Sequence, residues 1–208
     1  MRNPATIAWL IGGVAMVALP CCQTTRNDAV VAARLRHDLC GLNAGPDRRV
    51  RPEVVREAQA IAATAVRAAR DIAREFRVAG PAWFHNCLVN TRVRERGLCW
   101  QYMEEMYLRL VPIEPRSFDL HCGVRDQGSL FYEHHCVIVT ARGRPFGSGL
   151  ILDPWTHGGR LLVIPVAREP WRWAEDPDFR AYLHDRYRQR SGGPHSHSML
   201  AGGLVETS

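Results

Sequence analysis

Apolar side chains recur at helical spacing from residue 52 onward: Val54, Ala58, Ile61, Ala65, Ala69, Ile72 and Phe76 form one stripe, with Arg and Glu on the opposite face. Such a stripe marks a long amphipathic helix packed against a core. The run Ala-Gly-Pro at 79 to 81 stops it. A second helix is expected over about 82 to 94, and a third from Leu98, just after Gly97, to about Leu110, where Pro112 and Pro115 end it. In that third helix Tyr102, Met103, Met106, Tyr107, Leu108 and Leu110 read as core positions.

The period then falls from helical to alternating. SFDLHCGV, LFYEHHCVIVTA, GSGLILDPW and GRLLVIPV read as four strands separated by Gly-rich turns, and DPDFRAYLHDRYRQR restores a short helix. N-terminal helices followed by a small, mainly antiparallel sheet predict the α+β class. No internal repeat is present. The expected organisation is a leader over 1–22, a tether and domain edge over 23–50, one folded domain over 51–190, and a Gly- and Ser-rich tail over 191–208 expected to be disordered.

Composition supports one globular domain: 208 residues, 46% apolar and 23% charged. The net charge of +6 is spread along helical stretches instead of forming a block, which predicts a solvated basic surface. No nucleic-acid-binding module is visible, so nucleic acid is not an expected partner.

The first 22 residues differ from the rest. One positive charge at Arg2 precedes an uncharged run from Ile7 to Leu19, too short for a comfortable bilayer span but fitting the hydrophobic region of an export signal. Its ending resembles a bacterial lipoprotein signal, with Leu19 three positions before Cys22, although Pro20 and Cys21 depart from the small residues preferred there. The resemblance implies lipidation at Cys22 or Cys21 and an exported chain, membrane-tethered or periplasmic. Cleavage to a soluble periplasmic protein and an uncleaved short anchor are the alternatives. Five cysteines then remain, Cys40, Cys87, Cys99, Cys122 and Cys136. In an oxidising compartment an odd number leaves at least one thiol unpaired, and the pairing of the others is not readable.

Cys99 carries the candidate chemistry. A thiol attacks carbonyls as the thiolate, and the N-terminus of a helix, with its free N–H groups, favours an anion. An imidazole that takes the thiol proton is the second requirement. His134 and His135 enter one strand and point to opposite faces, so only one can face a given site. His135 shares its face with Val137 and Val139, and Asp153, at the end of the next strand, is the carboxylate that would orient the ring. His134 is the alternative through a one-residue register change.

GLCWQY, HHCVIV and LILDPW, in that order, resemble the transglutaminase-like branch of the papain-like cysteine hydrolases over roughly residues 85 to 165. The resemblance implies a papain-like core with Cys99 as nucleophile, His135 as general base and acid, and Asp153 as orienter. It implies a peptide, protein or cell-wall amide as substrate and no organic cofactor. The chain departs from the family in two places: Val137 stands where a tryptophan often follows the histidine, and Val93 stands where papain-type enzymes keep an oxyanion glutamine. The Cys99 N–H and the side chains of Asn90 or Asn86 are the candidate oxyanion donors. Trp155 is placed to shield the His–Asp pair.

Two other classes compete. His121-Cys122 and His134-His135-Cys136 offer soft zinc ligands, but neighbours on a strand face opposite sides and no CxxC pair supports a site, so no metal is expected there. The tail pair His195 and His197 reads as solvated, and calcium has no carboxylate cluster. A catalytically idle papain-like domain that binds a peptide or cell-wall component in its cleft is the binding-module alternative.

Overall fold

The computed structural model describes residues 19 to 191 except 46, 48, 130 and 131, and describes the side chains of the first helix only from residue 27 onward. The leader before residue 19, the side chains of Cys21 and Cys22, and the tail with His195 and His197 lie outside the described residues.

Helix α1 (Leu19–Leu42) leads into α2 (Pro52–Glu75), α3 (Ala82–Asn90) and α4 (Cys99–Leu110). The stripe expected for α2 is the buried one: Val54, Ala58, Ile61, Ala65, Ala69 and Ile72 are all inaccessible or nearly so. Five of its buried positions are alanines, which let α1 and α4 approach closely. Pro52 opens the helix, where its missing N–H costs nothing. Residues 23 to 50, expected as a tether and domain edge, contribute core instead. Val31, Leu35 and Leu39 follow one another at four-residue spacing, and Leu35 and Leu39 are fully buried against the other helices. The helical period there is short and interrupted by charge, which hides it in the sequence.

The sheet is α+β in kind, following the helices as expected. Strands β1 (Phe118–Arg125), β2 (His134–Ala141), β3 (Leu150–Asp153), β4 (Leu162–Pro165) and β5 (Trp173–Glu175) stand in the order β4-β3-β2-β1-β5, and each neighbouring pair is antiparallel. The first four are the predicted strands. β5 is a three-residue addition on the β1 edge, too short to give an alternating pattern. Helix α5 (Pro177–Ser191) closes the fold and buries Leu183 in the main core.

Alternation along β2 divides the apolar interior. Val137 and Val139 join the large core with α1, α2 and α4, whereas Cys136 and Ile138 join Ile151 in a smaller cluster covered by Phe146, Val166 and Trp173. Among the described residues no helix is long and apolar enough to cross a membrane.

If α1 is integral to the core, Leu39→Ala lowers unfolding free energy by about 2–5 kcal/mol, the usual cost of a large-to-small change at a closed site. Urea denaturation measures this; an unchanged midpoint would mean that α1 is detachable.

Candidate active site

Helix α4 begins at Cys99 because the preceding turn is pinned in three ways. Gly97 has φ 137°, a region that side-chain-bearing residues rarely adopt, and a Cβ there would lie 2.1 Å from His85 Nε2. The buried His85 ring accepts from Ala79 N–H at Nδ1 (3.3 Å) and therefore donates from Nε2 to the Arg96 carbonyl (2.9 Å), joining the two ends of the α3 segment. Gln101 Oε1 accepts from the N–H groups of Gly97 (2.7 Å) and Leu98 (3.0 Å). Gln101 lies three residues after the capping residue Leu98, the spacing of half a capping box. The amides of Cys99 and Trp100 are then the first ones of the helix with no acceptor of their own.

Cys99 is 9% exposed and its thiol donates to the Glu133 carbonyl oxygen at 3.8 Å. The next residue is His134, the first of β2. Its Nε2 donates to Asp153 Oδ2 at 3.1 Å, with Cys136 Sγ 3.3 Å from the same nitrogen. Its Nδ1 is buried without a hydrogen-bond partner, and the Cys99 thiol is among the polar groups acting on the ring. Trp155 and Trp173 lie beside the imidazole, with ring centroids 4.9 and 5.8 Å away.

Asp153 is 5% exposed and fully engaged. Oδ1 accepts from the N–H groups of Trp155 (2.8 Å) and Thr156 (3.0 Å), and Oδ2 accepts from the Thr156 hydroxyl as well as from His134. Burial opposes its charge, yet the His134 hydrogen bond, the His134 charge and the Thr156 donors prevail and hold its carboxyl below the usual range. Burial likewise opposes charge on His134, but the Cys136 sulfur and the hydrogen bonds to Asp153, Cys136 and Cys99 raise its proton affinity. Burial, with the Asp153 charge behind it, pushes the Cys136 thiol up to about 12. At neutral pH Cys136 is therefore a neutral thiol, and Asp153 is the anion that holds the His134 proton.

The structure thus brings together Cys99, Asp153 and His134, and leaves His135 out. The reason is the phase of the strand. β2 starts at His134, and alternation turns His135 to the other face, where its Nε2 donates to Glu133 Oε1 at 2.8 Å. The position two residues after the ring that meets Asp153 is consequently Cys136 and not Val137. Neither oxyanion candidate makes a hydrogen bond to this site: Asn90 is exposed, and Asn86 is half-buried with an unpartnered Oδ1. Trp155 does stand against the His–Asp pair, as expected. His121 and Cys122 lie elsewhere, His121 between Glu175 (2.8 Å) and Thr140 (3.0 Å) and Cys122 in the main core, where burial pushes its thiol up to about 12. All five cysteines from Cys40 to Cys136 are free.

Sequence reading missed His85, Gly97's tight packing, Gln101, Thr156 and Cys136. Gln101 was detectable from its spacing to the helix start, and Thr156 from its place after Asp-Pro. His85 depends on contacts across the turn and leaves no local signal. The chain matches no protein family, no curated protein and no solved structure.

Gly97→Ala forces the left-handed turn and the His85 contact to rearrange, and is expected to cost on the order of 2 kcal/mol while displacing Cys99. Thermal unfolding together with Cys99 alkylation reads both effects; an alanine variant as stable and as reactive as the parent would remove the turn from its positioning role.

Proposed function

We propose that the chain is an exported cysteine hydrolase or acyltransferase of the transglutaminase-like kind, acting through Cys99, His134 and Asp153. The observation that carries this reading is the division of labour on one ring: Asp153 occupies His134 Nε2, which leaves the buried Nδ1 without a partner on a ring that the Cys99 thiol also influences. Asp153 fixes the ring and favours its charged form. The Cys99 proton passes to Nδ1 before attack, giving a thiolate beside a charged imidazole; the sulfur then attacks an amide or ester carbonyl, and the helix-start amides of Cys99 and Trp100 are available to the resulting oxyanion. Nδ1–H then protonates the leaving group, and water or an amine resolves the thioester. The order of Cys, His and Asp, the helix–strand–strand placement and the Asp153-Pro154 pair support the family reading. The lipoprotein-like leader supports a membrane-tethered or periplasmic location with a peptide, protein or cell-wall amide as substrate.

Iodoacetamide alkylation at graded pH, resolved by peptide mass spectrometry, tests the assignment. Cys99 is expected to react below pH 8, His134→Ala to slow it by about 10²-fold or more, and His135→Ala to leave it nearly unchanged. Cys122 and Cys136, buried and with thiols raised to about 12, stay unlabelled in the native chain. Equal rates in both histidine variants would defeat the triad, and a Cys99 that never reacts would leave the peptide-binding alternative in its place.

A further inference from the structure

Cys136 has no part in the triad, although it touches it. The thiol is fully buried, lies 3.3 Å from His134 Nε2, and stands among Ile138, Ile151, Phe146 and Trp173. One ligand atom each from His134, Cys136 and Asp153 lies within 4.8 Å of the other two. Zinc bonds of about 2.0–2.3 Å at tetrahedral angles set ligand atoms about 3.3–3.6 Å apart. Two edges, 3.1 Å from Nε2 to Asp153 Oδ2 and 3.3 Å from Nε2 to Cys136 Sγ, are already near that spacing, and the third, from Sγ to the carboxylate, is within 4.8 Å and closes on binding.

We propose that His134 Nε2, Cys136 Sγ and the Asp153 carboxylate form a binding site for a zinc-class divalent cation whose occupation switches Cys99 off. A nitrogen, a sulfur and an oxygen select a borderline-soft ion over magnesium or calcium, which take oxygen donors. The trio leaves a fourth position for solvent. Asp153 Oδ1 keeps its two backbone N–H partners, so the carboxylate is already oriented.

Coordination requires the Cys136 thiolate and an unprotonated His134 Nε2, so protons are displaced to solvent and uptake strengthens as pH rises. Trp155 and Trp173 flank the ring and the ligands are buried, so uptake needs ring motion and is slow compared with mixing.

Inhibition follows because the ion takes the same nitrogen and carboxylate that pair in the triad. This consequence rests on the proposed function, whereas metal uptake does not. The test uses reduced full-length protein incubated with zinc, dialysed and assayed for metal, as the parent chain and as Cys136→Ser, Cys136→Val and Cys99→Ser, each checked for folding by its unfolding transition. The parent and Cys99→Ser are expected to retain one more zinc per chain than either Cys136 variant. Equal zinc in all four, or a loss confined to Cys99→Ser, overturns the site. Excess zinc is expected to slow Cys99 alkylation at least about tenfold in the parent and not in a folded Cys136→Val; equal slowing overturns the switch. The zinc count needs no Cys99 reactivity, so failure of the hydrolase reading is distinguishable from failure of the site.

Discussion

A carboxylate buried at the end of a strand must be compensated within hydrogen-bonding distance, and much of the candidate site is arranged around that demand at Asp153. Four donors meet it: the amides of Trp155 and Thr156, the Thr156 hydroxyl and His134 Nε2. Three of them come from the turn that Asp153 itself opens. The fourth comes from the neighbouring strand and can be supplied only if β2 enters the sheet at residue 134. The antiparallel pairing of Val137 with Leu152 sets that register. A slip of one residue would turn His134 away and carry Val137 and Val139 out of the main core, so the apolar alternation of β2 selects which of the two adjacent histidines meets Asp153.

The helix side of the site is set by backbone geometry. Gly97 lets the chain turn against His85, Gln101 takes the two amides that precede the helix, and α4 then buries Tyr102, Met103 and Met106 between α2 and the sheet. Packing of that apolar face holds the Cys99 end of the helix at the start of β2. The fully buried α2 and α4 positions thus contribute to function through placement, and α1 supports both from behind.

Much of this is legible in the sequence. The α2 stripe, the helix start at Cys99, the four main strands and the ordering of Cys99 before the His pair and Asp153 all follow from period and spacing. The choice between His134 and His135 does not, because both alternate correctly and only the strand's first residue decides which faces Asp153. α1 was obscured by its charged and polar interruptions, and β5 by its length. Cys136 reads as an ordinary buried thiol in sequence; its closeness to the imidazole depends on which histidine occupies the site.

The state of the His134 ring offers the most direct measurement. Its proton affinity is raised, so its stabilising contribution is complete below the ordinary histidine value of about 6.5 and is lost only as pH rises well above it. In ¹⁵N-histidine-labelled protein, long-range ¹⁵N–¹H spectra across pH 5 to 9 should show His134 protonated at Nε2 and still charged at pH 8, and Asp153→Asn should lower its titration while leaving His135 in place. A His134 that is neutral at pH 8, or an Asp153→Asn change felt by His135 instead, would contradict the Cys99–His134–Asp153 assignment.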